Sequence, residues 1–162
     1  MRLLLALPLL LTACATPRAP SLPAPAPASA DAQAVTATVQ RLFDAMERRD
    51  STAMRALLHP RATLVAIDSA GRAQRIPDAS GWVRSVAGSP EPLYERMFAP
   101  RVEVDGPLAT LWAFYTFHVG ERFSHCGTDA VQLVRSEGVW KIAVVTFTMQ
   151  QTGCPAVPPA RP

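Results

Sequence analysis

Val35, Val39, Leu42, Phe43 and Met46 recur at three- and four-residue spacing, with Gln40, Arg41, Glu47 and Arg48 around the rest of the turn. That period predicts an amphipathic helix of about four to five turns, with Asp31 placed to cap it. Asp50 or Ser51 can cap a second, short helix carrying Met54, Leu57 and Leu58 and ending near His59-Pro60. Ala62 to Asp68 and Arg72 to Ile76 read as two strands about the turn Ser69-Ala70-Gly71, and Asp78 can cap a third helix through Trp82, Val83 and Val86. Alternating and aromatic runs then predict strands over Leu93 to Asp105 (interrupted near Pro100), Leu108 to His118, Glu121 to Arg135 and Val139 to Gln150. Helices segregated from a meander of strands mean α+β.

Tight turns extend this to register. With Val119-Gly120 central, His118 pairs with Glu121 and Phe114 with His125; with Glu137-Gly138 central, Ser136 pairs with Val139 and Leu133 with Ile142. One face then carries Trp112, Phe114, Thr116, His125, Asp129, Val131, Leu133, Trp140, Ile142 and Val144, and it is the face expected to meet the helices. Gln132 and Lys141 mark the other face as wetter. A bulge would shift this assignment locally.

The N-terminus has a different pattern. Arg2 precedes the apolar run Leu3 to Leu11, and Leu11-Thr12-Ala13-Cys14 follows. A positive start, a short apolar run and small residues before the cut are the parts of an export signal. Ending on cysteine, the segment resembles the lipobox of bacterial lipoproteins, which implies removal of residues 1–13 and acylation of Cys14. A plain secretory peptide and an uncleaved anchor are the alternatives, although the run is short of the about 20 residues a spanning helix needs. Ala15, where an aspartate would favour the inner membrane, points by the same resemblance to the periplasmic face of the outer membrane of a Gram-negative cell. Residues 14–30 form a Pro/Ala-rich linker, residues 31–154 the expected domain, and residues 155–162 a Pro-rich tail.

Roughly 150 residues after processing allow one domain, and 49% hydrophobic residues suffice for a core. The formal charge of +3 includes Arg2, and the arginines are scattered without a basic run, so no nucleic-acid partner is expected. With Cys14 assigned to lipid, Cys126 and Cys154 are the remaining thiols in an oxidising compartment, where a disulfide is the natural reading. Two free thiols, or a metal site using His125 and Cys126, are the alternatives; neighbouring strand residues point to opposite faces, which disfavours the metal. If Cys126 stands opposite Met149, the chain must return through Gln151-Thr152-Gly153 to bring Cys154 back.

Ala109-Thr110-Leu111-Trp112-Ala113-Phe114-Tyr115, His125-Cys126-Gly127-Thr128-Asp129 and Gly138-Val139-Trp140-Lys141-Ile142 resemble the closing strands of the nuclear transport factor 2-like superfamily, in its SnoaL-like branch. The resemblance covers roughly residues 31–150. It implies a cone-shaped, curved antiparallel sheet around about three helices, a cystatin-like roll with a pocket at its open end. Members range from isomerases, cyclases and dehydratases to proteins without catalysis, so fold does not license function.

The expected pocket lining is Trp112, Phe114, Thr116, His125 and Asp129. His125 and Asp129 are candidate general acids or bases, yet four residues along a strand is roughly 13 Å, too far for a ready-made dyad. The favoured reading is that they satisfy backbone or helix-cap groups near the sheet end. No phosphate loop, zinc spacing or nucleophilic triad appears, so no metal or cofactor is expected. The expected function is a non-catalytic, lipid-tethered binding or accessory domain for a small apolar molecule or a protein partner, with a homodimer through the sheet as a further association. The alternative is a cofactor-free isomerase, cyclase or dehydratase using His125 or Asp129 as base.

Overall fold

Ser29 opens the first helix, accepting a hydrogen bond from the Ala32 amide 3.1 Å away and so satisfying an otherwise free N–H at the start of α1 (Ala30–Glu47). Asp31, expected as the cap, instead lies in the first turn, where a carboxylate complements the helix dipole, and it pairs with Arg135. The computed structural model describes residues 29–76 and 78–156. The expected export segment, Cys14, nearly all of the linker and residues 157–162 of the tail lie outside them. Among the described residues no helix is long and apolar enough to cross a membrane.

Val35, Val39, Leu42, Phe43 and Met46 form the buried stripe of α1, as their spacing predicts. Asp50 accepts from the Thr52 and Ala53 amides and caps α2 (Ser51–Leu57), which buries Met54. The chain then passes directly into β1 (Leu58–Ile67), four residues earlier than expected, so His59 and Pro60 lie in a strand. The strand β2 (Ala73–Ile76) returns from the turn, and Asp78 caps α3 (Ala79–Ala87) by accepting from the Gly81 amide. Four long strands follow: β3 (Leu93–Asp105), β4 (Leu108–Val119), β5 (Arg122–Ser136) and β6 (Val139–Thr148).

With β1 and β2 they build one six-stranded curved sheet in the order β2-β1-β6-β5-β4-β3. Neighbours are antiparallel except β1 and β6, which run parallel and join the N-terminal hairpin to the meander. The core lies between the concave face and the helices, where Leu111, Val131, Leu133 and Ile142 meet Val35, Val39, Met54 and Val83. Extra residues interrupt β3 at Ala99-Pro100, β5 at Ser124 and β6 at Ala143. Such bulges increase local bend and twist.

Two of them correct the expected faces. The β4–β5 turn is centred on Gly120-Glu121, with Val119 opposite Arg122 and with positive φ at Gly120 alone of the two (+56°). Glycine at the first central position is the II′ arrangement; the expected Val119-Gly120 turn would put valine there. Moving the turn displaces the pairing by an even step, which keeps the faces. The bulge at Ser124 adds one more residue, so Phe117 pairs with His125 and Phe114 with Thr128. The total shift from the expected pairing is then odd, and β4 turns over relative to β5. Leu111, Ala113, Tyr115 and Phe117 face inward, while Trp112 is 52% exposed on the convex face. The bulge at Ala143 likewise brings Val145 and Phe147, not Val144, to the inner face. The Glu137-Gly138 turn is as expected, with φ of 50° and 80° at its two central residues.

Candidate functional site

A cavity of about 280 Å³ opens inside the cone between α1, α3 and the concave face of the sheet. Its walls are mostly apolar: Leu42, Phe43 and Met46 come from α1, Trp82 and Val86 from α3, and Val145 and Phe147 from β6. Four titratable side chains enter it, Glu95 on β3, Tyr115 on β4, and His125 and Asp129 on β5. A second, larger groove of about 590 Å³ shares Phe43 and Glu95 with this cavity, so Glu95 is reached from both.

Glu95, Phe117 and His125 lie in one row across β3, β4 and β5. The His125 ring stacks on Phe117 at 4.8 Å and meets the Tyr115 ring edge-on at 5.7 Å. Its Nδ1 lies 3.0 Å from the hydroxyl of the bulged Ser124. Burial pushes the imidazole pKa down, which favours the neutral ring.

Asp129 is 2% exposed and faces the same cavity two steps further along β5. Gly127 stands between them opposite Tyr115, and a Cβ there would fall 1.8 Å from the Thr148 carbonyl oxygen. Glycine is therefore required sterically. The close approach lets that carbonyl accept from the Tyr115 hydroxyl at 2.8 Å, and the Thr148 hydroxyl accept from the Thr128 amide.

Asp129 does not pair with His125. Its partner is Glu95, with which it shares a hydrogen bond. Burial, and then the Asp129 charge, push Glu95 well above the usual carboxylate range, so Glu95 holds the shared proton and donates it. Burial pushes Asp129 up to about 7, with the bond from Glu95 working in the opposite direction. Burial and both carboxylates also raise the Tyr115 hydroxyl, which stays protonated. Among the described residues Asp129 Oδ2 has no hydrogen-bond partner.

Of the residues expected to line the pocket, His125 and Asp129 do so, and Trp112, Phe114 and Thr116 do not. The reversed face of β4 is the reason. Phe114 packs near Phe98 on the convex side, ring centroids 5.9 Å apart, and Thr116 is buried opposite Cys126. Sequence reasoning missed Glu95. Its signal was phase: Leu93, Glu95 and Met97 alternate with Tyr94, Arg96 and Phe98, which puts a carboxylate in step with apolar residues.

Cys126 and Cys154 form a disulfide, which leaves no Cys126 thiolate for a metal. Cys126 pairs with Gln150, one residue beyond the expected Met149, and the chain folds back through Gly153 at φ +73°. Among the described residues no group of three or more His, Cys, Asp or Glu is placed to hold a metal ion.

Residues 30–148 match a protein family described as "Putative lumazine-binding". No curated protein matches the chain. Among solved structures, the fold is similar to that of an NTF2-like protein of unknown function from Shewanella baltica, with 19% identity over 75% of this chain and 95% of that one and a TM-score of 0.56. Aln2 from a Streptomyces species is 19% identical over 76% of this chain and 93% of its own, with a TM-score of 0.62. A protein described as a "putative dehydratase from the NTF2-like family", from Streptomyces avermitilis, is 16% identical over 75% and 97% of the two chains, with a TM-score of 0.60. At these identities the likeness is one of fold.

Proposed function

Since the chain belongs to the family described as "Putative lumazine-binding", within the nuclear transport factor 2-like superfamily, we propose that it is an envelope-tethered domain whose cone binds one small, largely apolar molecule. The observation that carries this reading is Asp129 Oδ2, a buried acceptor at the wall of an apolar cavity with no partner among the described residues. An acceptor left in that state costs about 1–3 kcal/mol, which a ligand's donor would recover. A volume of about 280 Å³ suits a mono- or bicyclic ring, in keeping with the family's description.

Ser85 is exposed on α3 yet lines the cavity, so Ser85→Trp should fill it without disturbing the core. In thermal-shift assays, flat heteroaromatic compounds at about 100 times Kd should stabilise the wild type by about 2.7 kcal/mol. Ser85→Trp should melt normally and lose the response. A panel of mono- and bicyclic heteroaromatics that shifts neither protein would count against the pocket reading.

One observation favours a second reading. A carboxylate held near 7 inside an apolar cavity is suited to general acid–base chemistry at neutral pH, so a cofactor-free isomerase, cyclase or dehydratase remains the alternative. Turnover of a bound compound, lost in Asp129→Asn, would distinguish it from simple binding.

The tether is proposed from Leu11-Thr12-Ala13-Cys14, and the position at the periplasmic face of the outer membrane from Ala15. Assignment to the SnoaL-like branch rests on the closing-strand motifs, and the homodimer through the sheet is supported by exposed Trp112 on its convex face. Each buried acyl CH₂ contributes about 0.8 kcal/mol, so loss of the lipid should abolish membrane association. Cys14→Ser is expected to leave the domain folded and move it to the soluble fraction. Tight membrane binding by that variant would point to another anchor.

A further inference from the structure

We propose that the ligand carries a cationic group, an ammonium or amidinium on a small ring body, seated between Asp129 and Glu95. This inference rests on the pocket reading above. Two acidic side chains line the cavity, Glu95 and Asp129, and among the described residues no lysine or arginine does. One of the two, Asp129, is 2% exposed and has an oxygen without a partner.

A neutral donor could satisfy that oxygen. What selects a cation is the pair. Two hydrogen-bonded carboxyl groups taken out of water cannot both ionise, so the pair holds a proton between its members. A ligand ammonium can supply the counter-charge to ionised Asp129 while Glu95 keeps the shared proton. Its bonds to carboxylate are charge-assisted, roughly twice as strong as neutral ones. Phe43, Trp82, Tyr115, Phe117 and Phe147 line the same cavity, and aromatic faces attract cations in desolvated sites.

The adjoining groove points the same way. Asp44, Glu47 and Glu121 line it beside the protonated Glu95, against Arg96 and His118, so its carboxylates still outnumber its bases. Such a field concentrates cations and repels anions. Around the pair itself, β4 contributes the protonated Tyr115 hydroxyl and β5 the neutral His125 ring. From β6 come Val145 and Phe147, with Met149 just beyond it, and α3 adds Ser85 beside Trp82 and Val86. The groups at the cavity wall therefore offer no competing positive charge.

The proton exchange sets the pH dependence. Asp129 titrates near 7, so below that value the cation must displace a proton and its affinity should fall by about tenfold per pH unit. Above it the affinity levels off. A neutral isostere displaces no proton and should show no such slope.

Isothermal titration of the purified protein with 2-naphthylmethylammonium and with 2-naphthylmethanol, from pH 5 to 8, tests the proposal on two molecules of nearly equal shape. At pH 8 the ammonium should bind at least about tenfold tighter, the gain expected of charge-assisted over neutral hydrogen bonds. That preference should shrink with acidification and fall several-fold in Asp129→Asn or, if that variant is poorly folded, in Glu95→Gln. Equal or tighter binding of the alcohol by the wild type at pH 8 overturns the cationic assignment and leaves the pocket reading intact. Binding of neither molecule overturns both.

Discussion

Asp129→Asn is expected to match the wild type in stability near pH 4 and to exceed it by about 4 kcal/mol at pH 8, measured on unliganded protein. Asp129 rises from 3.8 to about 7 on folding, roughly three pKa units at about 1.4 kcal/mol each. Between those values the folded state binds the proton and the unfolded state releases it. The contribution is therefore fully present below about pH 4 and is lost as pH rises through about 7. Asparagine keeps the shape and the hydrogen-bonding capacity but has no proton to lose, so it escapes that loss. Glu95, also raised, retains its own dependence in the same direction, and the variant's curve should be shallower without becoming flat. Urea unfolding at half-unit steps from pH 4 to 8 gives the two curves. Parallel curves would mean that Asp129 ionises freely in the native state, which would remove the physical basis for the shared proton.

Removing the disulfide should have an effect of similar size. Cys126 and Cys154 enclose a separation of 28 residues, and restricting a loop of that length in the unfolded chain is worth about 3.5 kcal/mol. Cys126 is 0% exposed, so the double variant Cys126→Ala/Cys154→Ala is preferable to serine, which would bury a hydroxyl. The two backbone hydrogen bonds between Cys126 and Gln150, each 2.9 Å, remain available but lose the bond that holds the returning chain beside them. Met149, next to that bridge, lines the cavity, so fraying of this segment should weaken ligand binding along with stability. Unfolding midpoints of oxidised and double-variant protein, with mass spectrometry of the linked peptides, check this. Equal midpoints, or two alkylatable thiols in folded and unreduced protein, would sink it.

What could be read from the sequence was what neighbouring residues decide among themselves. The stripe Val35, Val39, Leu42, Phe43 and Met46 needs only helical period, and the caps Asp50 and Asp78 need only a carboxylate ahead of free amides. The Glu137-Gly138 turn and the pairing of Cys126 with Cys154 belong to the same class, because two adjacent residues or a simple count determine them. The inward phase of His125 and Asp129 was legible too, since both alternate with Cys126 and Thr128 along one strand. The face of β4 was not. It depends on one bulged residue, Ser124, which makes the displacement of the pairing odd and so reverses every side chain on the strand. Trp112, Phe114 and Thr116 lie outside the pocket for that reason. The parallel pairing of β1 with β6 and the meeting of Glu95 with Asp129 join residues from strands far apart in the chain. No local pattern encodes such meetings. They arise when a bulged, curved sheet closes over the helices and shuts two carboxyl groups away from water, and the chemistry of this protein follows from that closure.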